Sequence, residues 1–444
     1  MNLLFISLGC DKNLVDSEVM LGIIEKHGYT IVDDEENADV IVINTCCFIH
    51  DAKEESIRTI LEMAEYKKAG RLKVLIAAGC LAQRYKEEIL TEIPEVDAVL
   101  GAASYGKIAE VIEKALKGGR FVEISDAGAI PPLEAGRLVT TGGHFAYLKI
   151  AEGCDKHCTY CIIPKLRGNY RSVPLERLVK EAKELAEWGV RELILVAQET
   201  TLYGKDLYGE KSLHRLLREL CKISGLRWIR LLYCYPEEID DNLIKVIKEE
   251  KKICHYLDIP IQHSEDEILK KMGRKTTKRQ LVSTIRKLRK EIPDIVLRTT
   301  LITGFPGETK EQHEELLAFI DEMEFERLGV FTYSAEEDTA ASLMPGQIAE
   351  ELKEERRAQL MELQQDIVFE RAEAMKGKEL LVMIEGKVAD EDAYVGRTYM
   401  DAPNVDGLIF VNTDKELMSG DFAKVIVTGA AEYDLIGELS DEFT

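Results

Sequence analysis

Three stretches in the first hundred residues repeat one hydrophobic pattern: LLFISLGC ending at Cys10, DVIVINTCC ending at Cys46 and Cys47, and KVLIAAGC ending at Cys80. Each is a short apolar, β-branched run that closes in Gly or Thr and then Cys, which reads as a strand buried on both faces. Between them, SEVMLGIIEKHG and KEESIRTILEMAEYKKAG carry apolar positions at helical spacing. The region is therefore expected to be βαβαβ with parallel strands. In such an open sheet the strand ends point one way and ligands bind beyond them, so Cys10, Cys46 and Cys80 are expected at one edge.

The pattern breaks at 125–143, where SDAGAIPPLEAGRLVTTGG holds Pro131 and Pro132 and reads as a linker. From His144 to Tyr333 apolar runs alternate with helical ones about six times, too few residues for a complete eight-stranded barrel, so a partial (β/α)6 TIM-like barrel is expected. Residues 347–377 are helical and charge-rich, and their charges are expected to form a solvated face. Five short strand-like runs follow from Glu379, as in a small antiparallel barrel of the oligonucleotide-binding type. The expected class is α/β, with domains at 1–130, 140–372 and 375–444.

Composition narrows the function classes. With 45% hydrophobic and 31% charged residues the chain is that of a globular protein. The net charge of −23 argues against nucleic acid as default partner and favours a basic one. MNLLFISLGC places a small residue before Cys10, as lipoprotein cleavage sites do. Yet no Lys or Arg precedes the apolar stretch, and it is too short for a signal. No run is long enough to span a membrane. The expected location is the cytoplasm, where the ten cysteines stay reduced.

The sharpest chemical signal is AEGCDKHCTYCIIP, a C-x3-C-x2-C loop of Cys154, Cys158 and Cys161 after the first strand of the central domain. Three thiolates leave a 4Fe-4S cluster short of one ligand. The open iron can be chelated by the amino and carboxylate groups of S-adenosylmethionine. A zinc site with His157 as fourth ligand is the alternative, although adjacent His157 and Cys158 reach one metal with difficulty. Cys10, Cys46 and Cys80 together suggest a second cluster. Cys46 is preferred to Cys47 because it stands at the offset from its strand that Cys10 and Cys80 share. Cys221, Cys234 and Cys254 read as core residues, and His255 and His263 as structural histidines flanking a strand.

The C-x3-C-x2-C loop resembles that of the radical S-adenosylmethionine (SAM) superfamily. The resemblance implies that Tyr160 lies near the adenine and that Gln198 and Glu199, in LVAQET, stand where a strand end binds the SAM amino group. Gly304, in LITGFPGET, is a further candidate for close approach to the cofactor. SLGCDKNLVDSE, NTC and AAGCLAQR resemble the N-terminal module of methylthiotransferases, and the last segment resembles their TRAM domain. AQETTLYG, LLYCYPEEI, DIPIQHSEDEILKKMGR and GRTYMDAPNVDG are similar to the branch that methylthiolates the β-carbon of an aspartate in the twelfth protein of the small ribosomal subunit.

That resemblance implies two 4Fe-4S clusters, two SAM molecules, an electron donor such as flavodoxin or ferredoxin, and a sulfur donor it does not identify. The substrate would be a basic ribosomal protein, free or in the ribosome. The sister branch, which methylthiolates tRNA adenosine, is the alternative, and a non-enzymatic iron–sulfur carrier is another. Residues 375–444 hold six Lys and Arg against fifteen Asp and Glu. Such a barrel repels phosphate, so RNA is not the expected substrate.

Overall fold

Six strands, the central three buried on both faces, build the first sheet: β1 (Asn2–Ser7), β2 (Thr30–Val32), β3 (Val40–Thr45), β4 (Val74–Gly79), β5 (Ala98–Gly101) and β6 (Phe121–Glu123). In the computed structural model, which describes residues 1–128 and 136–443, they lie in the order β2-β1-β3-β4-β5-β6. Every pairing is parallel. Alternation along β3 sends Ile41 and Ile43 to one core, with Ile60 and Leu75, and Val40 and Val42 to the other, with Ile24 and Ile112. Helices α1 (Asp11–Lys26), α2 (His50–Lys68), α3 (Cys80–Tyr85), α4 (Glu87–Glu92) and α5 (Ile108–Leu116) supply the covering layers.

The chain forms two units, one of Met1–Thr140, Glu152–Arg171 and Ser334–Ser342, the other of Thr141–Ala151, Ser172–Tyr333 and Leu343–Thr444. The linker expected at 125–143 lies partly outside the described residues, Pro131 and Pro132 included. Its far end is strapped to α1. The fully buried Glu18 carboxylate accepts from Arg137 Nε at 2.7 Å, Thr140 N at 2.7 Å and Thr140 Oγ1 at 3.0 Å. A buried carboxylate requires such donors, and this segment supplies them.

In the second unit β7 (Phe145–Lys149), β8 (Glu192–Val196), β9 (Trp228–Leu231), β10 (Ile253–Asp258), β11 (Val296–Thr303) and β12 (Arg327–Thr332) pair in chain order. All pairings are parallel. Strands that neighbour in sequence also neighbour in space, the arrangement of a partial (β/α) barrel. The crossover helices Lys278–Glu291 and Lys310–Met323 begin with capping boxes at Thr277/Gln280 and Thr309/Gln312. The charge-rich helix Glu350–Glu373 is not simply solvated. Lys353 and Arg356 are buried, Lys353 Nζ donating to Tyr333 O at 2.8 Å and Arg356 to Glu308 Oε1 at 2.9 Å.

The last strands, β13 (Glu379–Lys387), β14 (Ala393–Arg397), β15 (Ile409–Asn412), β16 (Phe422–Ala431) and β17 (Asp434–Phe443), close into a barrel in the order β13-β14-β15-β17-β16. Four pairings are antiparallel and β15–β17 is parallel. Directions cannot alternate around a ring with an odd number of strands, so one parallel pair is unavoidable.

This barrel is clamped to the beginnings of the core strands. Glu192, the first residue of β8, accepts from Arg230 Nε and Arg397 Nη2, each at 2.7 Å. Arg298 reaches Asp406 at 3.3 Å and Arg327 reaches Asp401 at 2.5 Å. Glu385 pairs with Arg397 at 2.5 Å. Three of the fifteen carboxylates counted toward a basic partner, Glu385, Asp401 and Asp406, thus face inward. Asp390, Glu391, Asp392, Asp414 and Glu416 remain exposed in the turns after β13 and β15.

Candidate functional site

The strand order of the first sheet reverses at β1 and β3, with β2 outside β1 and β4 beyond β3. Such a reversal opens a crevice at the carboxyl ends of the strands, the common ligand position in this kind of sheet. Cys10 follows β1 as the N-cap of α1, Cys46 follows β3 directly, and Cys80 follows β4 as the first residue of α3. The three cysteines sit at the ends of three neighbouring strands, and two of them flank the reversal.

Their thiols are close enough to oppose one another's ionisation. Burial pushes the Cys46 thiol up to about 12, with further repulsion from Cys80 and Cys10. Cys80 is also raised, first by burial, while Arg167 pulls it down. Gly9 has φ +89, and a Cβ there would lie 2.6 Å from Cys46 Cβ and 3.0 Å from its Sγ. The glycine lets the end of β1 close on Cys46. Cys46 is further held by its N–H to Ser56 Oγ at 3.0 Å. Asn44, just before it, donates to Asn13 O at 3.0 Å and Ser17 Oγ at 2.8 Å, tying the end of β3 to α1.

Cys47 takes a different place. Because β3 ends at Thr45, strand alternation does not govern the Cys46–Cys47 pair. Cys47 is fully buried in the apolar core with Leu75 and Leu81. Burial raises its thiol first, followed by Cys80 and Cys46. Cys46 is coupled to both other members of the triad, whereas the thiol couplings of Cys47 run to Cys80 and Cys46.

In the same unit, Cys154 and Cys158 are buried and Cys161 half-buried. The loop is shaped by Cys154 N–H to Gly168 O at 3.1 Å and Cys161 N–H to Cys158 O at 3.0 Å. The segment Ser334–Ser342 braces it, with Ala341 N–H on Thr159 O at 2.9 Å and Lys165 Nζ on Asp338 O at 2.7 Å. His157 is exposed, with φ +51. Among the described residues no group of three or more His, Cys, Asp or Glu is placed to hold a single metal ion. One zinc draws its sulfur ligands to about 2.3 Å from a common point. A 4Fe-4S cluster gives each cysteine its own iron, so the wider sets of three thiols fit a cluster as donors.

Sequence reasoning missed Arg167. Its guanidinium is buried, with hydrogen bonds to Asp16 Oδ2 at 2.6 Å, Asn13 Oδ1 at 3.2 Å and Cys80 Sγ at 3.3 Å. KLRGNYR carries no spacing that marks it.

Of the expected SAM contacts, Tyr160 and Gln198 are half-buried. Glu199 is fully buried, its Oε1 accepting from Thr201 N at 3.0 Å and from the Thr201 hydroxyl. At Gly304, φ +73, the position of a Cβ is taken by the Lys353 side chain. That glycine makes room for the helix Glu350–Glu373. His255 pairs with Asp294 at 2.7 Å, and His263, fully buried, accepts the Glu265 N–H at 3.0 Å through Nδ1. Cys234 and Cys254 are buried and Cys221 is half-buried.

Comparison with known proteins agrees along the whole chain. Family models match at residues 2–101 (uncharacterized protein family UPF0004), 148–320 (radical SAM superfamily) and 377–439 (TRAM domain). A protein of Lachnoclostridium phytofermentans named ribosomal protein uS12 methylthiotransferase RimO is 66% identical over 437 residues, 98% of this chain and 99% of that one. Proteins of the same name from Thermoanaerobacter sp. and Clostridioides difficile are 51% and 50% identical, each over 98% of this chain. Among solved structures, the radical SAM methyltransferase TsrM of Kitasatospora setae, with cobalamin and a 4Fe-4S cluster bound, gives a TM-score of 0.55 at 14% identity. The match covers 74% of this chain and 72% of that one, a likeness of fold.

Proposed function

Because this chain belongs to the RimO family of ribosomal protein uS12 methylthiotransferases, within the radical SAM superfamily, we infer that it adds a methylthio group to the β-carbon of an aspartate of uS12. The second cysteine triad, in the crevice beside β1 and β3, carries this reading, because radical chemistry on a substrate carbon needs only the first. General acid–base catalysis contributes only about 10²–10⁴-fold and does not reach so weakly acidic a C–H bond. When bound, the two clusters and SAM supply a carbon-centred radical able to take that hydrogen, together with the methylthio group that replaces it.

The residues divide as follows in this reading. Cys154, Cys158 and Cys161 hold the cluster that binds SAM, with Tyr160 of the same segment beside the adenine, and Gln198 and Glu199, after β8, are the candidates that the family resemblance offers for the SAM amino group. Cys10, Cys46 and Cys80 hold the second cluster, and the start of α1 at Cys10 favours the negative charge that such ligands carry. The exposed carboxylates of the barrel turns attract a basic protein. In this reading the three modules take the domain limits 1–130, 140–372 and 375–444. An electron donor of the flavodoxin or ferredoxin kind and a separate sulfur donor complete the system in the cytoplasm. No helix among the described residues is long and apolar enough to cross a membrane.

The test is mass spectrometry of uS12, free and in assembled small subunits, after anaerobic incubation with the reconstituted enzyme, reductant and SAM. A gain of one methylthio group on a single aspartate is expected. Methylthioadenosine formed in tRNA only when the enzyme is present would overturn the substrate assignment, and failure to release 5'-deoxyadenosine would overturn the enzyme itself.

A further inference from the structure

Arg167 lies on the segment Glu152–Arg171, which also carries Cys154, Cys158 and Cys161, yet its guanidinium is spent on the other triad. Its side chain is 3% exposed and pairs with Asp16 at 2.6 Å and Glu152 at 3.4 Å, carboxylates that are themselves buried. These two groups already neutralise the cation, as burial of a charge demands. A purely structural role would end there. Nη2 instead turns to Asn13 Oδ1 at 3.2 Å and Cys80 Sγ at 3.3 Å, aiming a charged donor at a sulfur of the strand-end triad.

A hydrogen bond to a ligand sulfur draws electron density from the iron–sulfur bond, and a nearby positive charge stabilises the reduced, more negative cluster. Both raise the reduction potential. Resting on the assignment of Cys80 as a ligand, we propose that Arg167 is a positioning residue for the second cluster: it orients Cys80 and raises that cluster's reduction potential. Because the same short segment bears the C-x3-C-x2-C loop, Arg167 joins the two cysteine triads, one through the backbone and the other through its hydrogen bond to Cys80. The segment that arranges one triad thereby sets the electronic properties of the other.

Redox titration followed by electron paramagnetic resonance tests this in the full chain carrying Cys154→Ala, Cys158→Ala and Cys161→Ala, reconstituted anaerobically so that one cluster remains. Arg167→Gln is expected to shift the midpoint to more negative potential at unchanged iron per chain, and Arg167→Lys to recover part of the shift. Asp16→Asn, which leaves the guanidinium less neutralised, is expected to shift it the opposite way. The same midpoint in the parent, Arg167→Gln and Arg167→Lys proteins overturns the inference and leaves the ligand assignment standing. If the parent binds no cluster, the ligand assignment falls and the inference with it. If Arg167→Gln loses its iron, the Asp16→Asn protein decides: a positive shift supports the inference, and an unchanged or negative one overturns it.

Discussion

Arg397 and Glu192, 205 residues apart in the chain, meet at 2.7 Å with neither side chain exposed. Arg230 completes the group from the other carboxylate oxygen. Replacing Glu192 with Gln leaves the buried Arg230 without its counter-charge and Arg397 with Glu385 alone, and such losses cost about 3–5 kcal/mol. A lower unfolding midpoint is expected, with iron content of the N-terminal unit unchanged. Burial alone would raise the Glu192 carboxyl, but Arg230 and Arg397 outweigh it and hold the pKa below its ordinary 4.5. This stabilisation is therefore present above pH 4.5 and is lost as pH falls through the lowered value. The gap between the thermal melts of the two proteins should narrow as pH falls from the neutral range into the acid range.

Cys46 and Cys47 separate by their iron. Cys46→Ala is expected to lose one of the two clusters, about half the iron per reconstituted chain. Cys47→Ala is expected to keep both and to lose stability instead, since its side chain fills the apolar core. The opposite pattern of iron content would assign the ligand to Cys47.

Burial drives His263 down to about 3, with His313 and Arg356 adding to the effect. A histidine held neutral in the fold and free to protonate when unfolded gives full stability above its ordinary value of 6.5 and loses it as pH falls below that. The slope is about 1.4 kcal/mol per pH unit. His263→Asn retains an acceptor for the Glu265 N–H. Urea midpoints at pH 7 and pH 5 should fall less for this variant than for the native chain.

Gly304→Ala would set a methyl group against Lys353 at a positive φ. A loss of about 1–3 kcal/mol is expected. If the collision is the cause, Lys353→Ala relieves part of it, and the double variant should be more stable than the sum of the two single losses by more than about 0.5 kcal/mol. Strict additivity in chemical denaturation would show that the backbone angle alone demands glycine.

The cysteine edge of the first sheet was legible because β-branched runs, a small residue and Cys recur in one order, and a parallel sheet turns that repeat into proximity. The partial barrel was legible for the same reason, as periodicity switches regularly between strand and helix. Long-range polar pairing was not. Nothing near Arg167 in sequence signals Asn13, Asp16 or Cys80, and a charge count could not tell that Glu385, Asp401 and Asp406 point inward. The charged run at 350–373 misled similarly, since helical spacing does not reveal that Lys353 and Arg356 serve buried acceptors. Strand alternation was no guide to Cys47 because hydrogen bonding in β3 stops at Thr45.

Docking of the closed barrel on the beginnings of the core strands divides the labour of inheritance in this protein. Arg230, Arg298 and Arg327 form a fixed socket on the core, and the turns after β13 and β15 stand outside it. Those turns can be rewritten, in length or in charge, without disturbing the socket or the opposite strand ends. Under the proposed reading, a change of charge in those turns would alter attraction to a basic partner while the three arginine pairs stay as they are.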